Sequence, residues 1–170
     1  VPQPIKQSLR KPYMEGASFS LIVKDVHNGE TVFAYDTLRQ LTPASVMKTV
    51  TTATALEILG EDYRFPTTLA YDGSIEKGLL KGNLYIKGSG DPSLGSAHFA
   101  PYHKRFLQEW ISALKKVGIH KIQGAVIADE SIFDTEGTSF KWVGEDMGSY
   151  YGAGSYGLCV FDNLYKLGLQ

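Results

Sequence analysis

The segment Leu41–Gly60, LTPASVMKTVTTATALEILG, is the hardest part of this chain to place. Pro43 suits the first turn of a helix and Gly60 the position just past its end. Between them Val46, Met47, Val50, Ala53, Ala55, Leu56, Ile58 and Leu59 cover most of the circumference. A helix that is apolar on nearly every side is expected to be buried rather than to lie on a surface. Thr49, Thr51, Thr52 and Thr54 interrupt the good helix formers, and their hydroxyls are expected to bond backward to carbonyls of the preceding turn. Local propensity is poor, so packing must hold this helix.

The remainder reads as a mixture of short strands and helices. Ser18–Val26 and Thr31–Tyr35 are β-rich runs around Asn28-Gly29. That pair predicts an antiparallel hairpin in which both central residues take positive φ. After Gly60, TTLAYDGSIEKGLLKGNLYIKG predicts two or three strands with turns at Gly73, Gly78 and Gly82, and GSGDPSLG a loop. His98–Val117 has helical spacing and stops at Gly118, and KIQGAVIAD reads as one buried strand. The Gly- and Tyr-rich tail reads as loop followed by strand. Tyr150, Tyr151 and Tyr156 could line a cleft or lie in a loop.

Composition narrows the function classes. The chain has 170 residues, 43% hydrophobic and 21% charged, which is enough to bury a core. Its formal net charge is −1 and it has no basic stripe, which argues against a nucleic-acid partner. Cys159, the single cysteine, can form no internal disulfide and reads as a small buried residue. No run reaches the roughly 18 apolar residues that span a bilayer. The polar arm beginning at Val1 is compatible with a secreted form whose signal has been removed. His27, His98, His103 and His120 are too scattered for a zinc site, and Gly88–Pro92 lacks the spacing and lysine of a phosphate loop. No metal and no cofactor is expected.

Ser-x-x-Lys occurs four times: Ser8/Lys11, Ser45/Lys48, Ser74/Lys77 and Ser112/Lys115. The first lies in the arm, the third in a polar turn and the fourth on a solvated helix face. Ser45/Lys48 differs, because it opens the apolar helix, where a buried ammonium needs a partner or a reason. A serine hydroxyl is a poor nucleophile until a base takes its proton, and a lysine serves as that base only when neutral. Burial and a neighbouring cation favour the neutral form. The Ser45 N–H, at a helix N-terminus, is placed to hold a developing oxyanion. The competing reading is a serine-capped helix with Lys48 reaching to water.

Wider motifs then accumulate. Pro43-Ala44-Ser45-x-x-Lys48 continues into Leu59, Gly60, Tyr63, Phe65 and Thr67. Leu80-x-Gly82-x-Leu84, Gly90-x-x-x-Leu94 around Asp91-Pro92, and Ile122, Gly124, Val126, Asp129, Ser131 and Phe133 follow. From about Ser18 onward the chain resembles the D-alanyl-D-alanine carboxypeptidase/endopeptidase family of class C low-molecular-mass penicillin-binding proteins. The resemblance implies an α+β fold like that of β-lactamases and penicillin-binding-protein transpeptidases, an antiparallel sheet around a central helix, here incomplete and with an inserted α/β domain. It implies residues 1–66 as the N-terminal part of the catalytic domain, 67–134 as an inserted accessory domain and 135–170 as a segment returning toward the catalytic domain. It also implies Ser45 as nucleophile, Lys48 as base and Asp146 beside the substrate side chain.

The family's Ser-x-Asn and Lys-Thr-Gly motifs are absent. Phe161-Asp162-Asn163 carries Phe where serine would stand. The chain is therefore expected to be part of a longer enzyme and inactive alone, with the rest of the catalytic domain as its partner. The implied substrates are peptidoglycan stem peptides, the implied inhibitors β-lactams, and the implied location extracytoplasmic. A non-catalytic cell-wall-binding fragment and a β-lactamase are the alternatives.

Overall fold

A computed structural model describes residues 3–99, 105–165 and 167–168. The chain divides into two compact units, Val1–Asp62 and Tyr63–Gln170.

The first unit opens with helix α1 (Gln3–Leu9), in which the Ser8 hydroxyl donates to the Pro4 carbonyl at 3.0 Å. Strands β1 (Leu21–Lys24) and β2 (Thr31–Tyr35) pair antiparallel, Leu21 opposite Tyr35 and Val23 opposite Phe33, with an irregularity at Val23/Lys24. The predicted hairpin is present, but its turn differs. Only Gly29 takes positive φ, at +76°. The loop has four residues, Val26 to Gly29, and is closed by Asp25 N–H donating to Glu30 O at 2.8 Å. Within it the Asp25 and Asn28 side chains accept the His27 and Glu30 N–H groups at 2.8 and 2.9 Å. Asn28 thus acts through its side chain, and the glycine alone supplies the left-handed residue.

Helix α2 (Met47–Leu59) ends at Gly60, which takes φ +81° and returns its N–H to Leu56. Two of the four threonines behave as expected. Thr51 donates to Met47 O at 3.3 Å, and Thr52 to Lys48 O at 2.8 Å. The expected burial is not found. Every residue of α2 is exposed, Ile58 at 74%. The described remainder of this unit offers only a short helix, a two-stranded hairpin and turns. They present too little apolar surface to enclose a helix whose hydrophobic residues face all directions.

The second unit is built on strands β3 (Thr68–Tyr71), β4 (Ser74–Glu76), β5 (Leu79–Lys81), β6 (Leu84–Lys87), β7 (Lys121–Ile122) and β8 (Val126–Asp129). They form two three-stranded sheets, ordered β3-β6-β8 and β4-β5-β7. In each, the first pair is antiparallel and the second parallel. The registers show one long hairpin bent in the middle: Tyr71 faces Leu84 below the bend, and Ser74 faces Lys81 above it. The expected single strand over 121–129 bends at the same level and breaks into β7 and β8 at Gln123-Gly124-Ala125. It is half covered rather than buried, with Val126 59% exposed.

At the bend, side chains take over the ladder. Asp72 N–H donates to Asn83 O at 3.1 Å, but the Asn83 N–H goes to the Asp72 carboxylate, not to its carbonyl. The same carboxylate accepts from Asn83 Nδ2 at 3.1 Å and from the Tyr85 hydroxyl at 2.8 Å. Asn83 Oδ1 in turn accepts the Ala125 N–H at 2.9 Å. Gly73, Gly82 and Gly124 let the three backbones meet here. A Cβ on each would run into the Lys81, Asp72 and Gly82 carbonyls respectively.

Helix α3 (Phe106–Lys116) is shorter than the expected 98–117 span. Ala97–Phe99 form a separate 3-10 turn, residues 100–104, with His103, lie outside the described residues, and Gly118 takes φ +86° just past the end. Phe106 packs edge-on against Trp110 and Phe161, with ring centroids 4.9 and 5.8 Å apart. Leu80, Leu84, Leu94, Phe106, Ile119 and Cys159 form this unit's buried core. The tail contributes 3-10 turns and one parallel bridge, Asp91 with Leu158, in place of the expected strand.

The hydrogen bonds from Asn83 and Tyr85 hold the Asp72 carboxyl below its ordinary value of 3.8. The folded state therefore binds this proton less readily than the unfolded chain does. The stabilisation is complete above that ordinary value and is lost as pH falls through the depressed one. Asp72→Asn is expected to lower the urea midpoint of this unit at neutral pH. It should also flatten the dependence of that midpoint on pH between about 5 and 2, measured by tyrosine fluorescence.

Candidate active site

Ser45 lies in a 3-10 turn, Ala44–Val46, that runs directly into α2, and Lys48 is the second residue of that helix. Pro43, at φ −71°, starts the turn. Val46 N–H closes it on Pro43 O at 3.0 Å, and Met47 N–H reaches both Ala44 O and Ser45 O. Among the described residues, neither the Ser45 N–H nor its Oγ has a hydrogen-bond partner, and Lys48 has no ion pair. Two groups of complementary chemistry thus stand in one turn with their donors and acceptors uncommitted.

The expectation of a buried Lys48 is corrected: Lys48 and Ser45 are both exposed. The cause is the bareness of α2, which leaves its first turn open as well. The Lys48 side chain thus stands in solvent rather than in the dry surroundings expected of it.

The sequence gives no sign of the backbone conformation at Ala44. It takes φ +44°, a left-handed backbone that costs a residue with a Cβ about 1–2 kcal/mol. Alanine gives no signal for this, unlike glycine, asparagine or aspartate.

Asp146 belongs to the second unit, in a 3-10 turn at Gly144–Asp146. It is half-buried, and the Tyr151 hydroxyl donates to Oδ1 at 3.0 Å. Its own carbonyl receives Ser149 N–H at 3.0 Å, and Gly152 lies so close to that carbonyl that no Cβ would fit. The carboxylate is therefore fixed in direction while one oxygen keeps free acceptor capacity. Tyr150 and Tyr151 are exposed and meet edge-on at 5.3 Å, whereas the half-buried Tyr156 ring covers Gly137 and Gly154.

Other sequence candidates have structural roles. Asp91 accepts both Ser93 N–H, at 2.8 Å, and Ser93 Oγ, at 2.6 Å, which makes GSGDPSLG a side-chain-closed turn. Asp129 is held low by Ser131, through its side chain and backbone, with the charge of Lys87 assisting. Cys159 is buried, its Sγ donating to Tyr156 O at 3.2 Å and accepting from Asn163 Nδ2 at 3.2 Å. Phe161, Asp162 and Asn163 all take positive φ, and the turn is pinned by Phe161 N–H to Leu94 O and Asn163 Nδ2 to Gly154 O. Ser74/Lys77 lies across the β4–β5 turn, with Lys77 at φ +48°. No group of His, Cys, Asp and Glu with metal-holding geometry occurs among the described residues. No helix among them is long and apolar enough to cross a membrane.

Comparison with known proteins places these features in one lineage. A D-alanyl-D-alanine carboxypeptidase of Actinomadura sp. (strain R39) is 33% identical over 145 residues, 85% of this chain and 26% of that protein. The crystal structure of penicillin binding protein 4 (dacB) from Haemophilus influenzae superposes with a TM-score of 0.71 at 28% identity, covering 84% of this chain and 30% of that one. A structure of the same Haemophilus influenzae protein complexed with a novel β-lactam gives a TM-score of 0.53 at 32% identity, over 65% of this chain and 24% of that one. The fold is thus the α+β fold of a penicillin-binding protein, and the chain spans about a quarter of the length of the curated relatives it matches. The model of the D-Ala-D-Ala carboxypeptidase 3 (S13) family matches residues 1–170, and the chain belongs to that family.

Proposed function

We propose that this chain carries the nucleophile and base of a penicillin-binding serine hydrolase that acts on D-Ala-D-Ala termini of peptidoglycan stem peptides outside the cytoplasm. The observation that carries the reading is the Ser45/Lys48 pair, uncommitted in one turn at the head of α2, in a chain matched along its length by a D-Ala-D-Ala carboxypeptidase family. The β-lactam complex of the Haemophilus influenzae relative supports it.

The chemistry is acyl transfer. Neutral Lys48 takes the Ser45 Oγ proton as the oxygen–carbon bond forms at the carbonyl between the two D-alanines. The Ser45 N–H donates to the oxyanion. The carbon–nitrogen bond breaks, and the proton held by Lys48 passes to the departing amine of D-Ala. Water, deprotonated in turn, attacks the acyl ester and restores the Ser45 hydroxyl. When the acyl donor is a cross-link the same steps cut the cross-bridge. A β-lactam donates its acyl group in the same way, but its leaving amine stays tethered. No cofactor enters these steps.

The family's length beyond the quarter spanned here supplies the surface that covers α2 and desolvates Lys48. In this reading residues 1–66 belong to the catalytic domain, 67–134 to an accessory domain inserted into it, and 135–170 return toward the cleft. Asp146, held by Tyr151, then meets a cationic or hydrogen-bonding group on the substrate side chain.

In the longest natural form of the protein, fluorescent penicillin is expected to acylate Ser45, located by mass spectrometry of the labelled peptide. Ser45→Ala should remove the adduct altogether. Lys48→Ala should slow acylation by about a hundredfold or more, the usual scale for a general base. An undiminished adduct in Ser45→Ala refutes the reading. Asp146→Asn is expected to raise KM for stem peptides with a cationic side chain by about tenfold, while the rate of acylation by penicillin, which lacks that side chain, stays unchanged.

A further inference from the structure

Phe161, Asp162 and Asn163 take φ of +53°, +59° and +52° in succession, with no glycine among them. L-residues visit the left-handed region one at a time, and for a ring-bearing residue such as Phe161 that backbone is an outlier. Strain of this kind persists only where the surroundings over-determine it. Here both ends are anchored. At the first, Phe161 N–H donates to Leu94 O at 2.8 Å. The Phe161 ring packs on Phe106 and fills the space over Gly95, where a Cβ would lie 2.6 Å from it. At the last, the Asn163 amide gives its two N–H groups to Gly154 O at 2.7 Å and Cys159 Sγ at 3.2 Å. The hand of the backbone decides on which side of the chain a Cβ leaves, so the left-handed turn is what sends the Asn163 side chain back to Gly154.

Gly154 closes the stretch that carries Asp146. Residues 143–154 bond chiefly to one another: Met147 N–H to Gly144 O, Ser149 N–H to Asp146 O, Gly152 N–H to Ser149 O and the Tyr151 hydroxyl to Asp146 Oδ1. Gly152 is seated against the Asp146 carbonyl. The Asp146 carboxylate is therefore fixed within its own stretch. The turns there are 3-10, and Gly144, Gly148 and Gly152 leave the backbone permissive, so little in the stretch resists its displacement as a whole. Its first residue, Val143, is 58% exposed. Its last is held by the Asn163 amide, beside the bond from Ser155 N–H to Gly137 O at 2.8 Å. We infer that Asn163 is a positioning residue for substrate specificity: from a strained turn braced on Leu94 and Phe106, its amide holds the Asp146 stretch where the carboxylate meets the substrate side chain. The inference rests on the reading of Asp146 as the acceptor for that side chain. No acyl-transfer step passes through Asn163, so its effect falls on recognition and leaves the reaction of Ser45 alone.

Glycine takes the left-handed backbone without penalty, so Asn163→Gly keeps the turn and removes the amide. In the longest natural form of the protein, steady-state hydrolysis of a D-Ala-D-Ala stem peptide with a cationic side chain is measured beside acylation by fluorescent penicillin, which lacks that side chain. Asn163→Gly is expected to raise KM for the peptide by about fivefold, with kcat and the rate of penicillin acylation unchanged. In the Asp146→Asn background the same substitution is expected to raise KM by less than about twofold, because a residue that acts through Asp146 then has nothing left to position. A merely structural role would not produce that non-additivity, and it would slow penicillin acylation as well. A KM within about twofold of the parent overturns the inference, as does a rise in KM equally large with and without Asp146→Asn. Penicillin acylation that falls alongside the peptide reaction also overturns it. If Asp146→Asn by itself leaves KM unchanged, the assignment of Asp146 fails and the inference with it. If Asp146→Asn raises KM and Asn163→Gly does not, only the positioning inference fails.

Discussion

The second unit depends on one carboxylate standing in for a backbone carbonyl. Three strands bend at one level, and a bent ladder loses the regular partners of its N–H groups, each costly to leave unmet. The Asp72 side chain accepts the Asn83 N–H, and the Asn83 side chain accepts that of Ala125, so the break is bridged from strand to strand. Leu80 of one sheet and Leu84 of the other are both buried, as are Leu94, Phe106 and Ile119. The Tyr85 hydroxyl completes the carboxylate's shell, and this sharing is why the phenol is held above its ordinary value while the acid is held below. Gly73, Gly82 and Gly124 are the steric condition for the same bend, since its hydrogen bonds need backbones closer than side chains allow.

The first unit follows a different logic. Among the described residues its helix has nothing around it to explain its composition, and the turn bearing Ser45 is formed by backbone bonds rather than by packing. A chain whose second unit has an interior of its own, and whose first is largely uncovered apolar surface, matches a family of which it spans about a quarter. The bareness of α2 and the solvation of Lys48 are one fact seen twice. A helix hydrophobic on all sides is made to be enclosed on all sides, and an amine at its head takes the dielectric of whatever encloses it.

Much of this was legible in the residues. The hairpin at Asn28-Gly29, the helix stop at Gly60, the back-bonding threonines, the Gly73 and Gly78 turns and the buried thiol of Cys159 each follow from local chemistry, and local chemistry acts the same in any surroundings. The bend at residues 72, 83 and 124 was not legible. It joins positions as much as fifty residues apart, and KIQGAVIAD carries a strand pattern straight across the break. The exposure of α2 escaped for the opposite reason: the pattern reports what a helix is suited to, not what surrounds it. Of the candidate site, Ser45 and Lys48 stood out as a spacing and Asp146 through resemblance. The strain at Ala44 was invisible, because alanine is the residue least expected there.

The threonines of α2 have a consequence for when the site comes into being. Thr49, Thr51, Thr52 and Thr54 weaken the helix's intrinsic tendency to form, so its persistence is conferred by what packs on it. The turn bearing Ser45 is the first turn of that helix and shares its fate. Under the proposed function, the geometry of the nucleophile is thereby tied to enclosure of the segment. The order of the Ser45 turn is then set by tertiary packing rather than by the helix's own propensity.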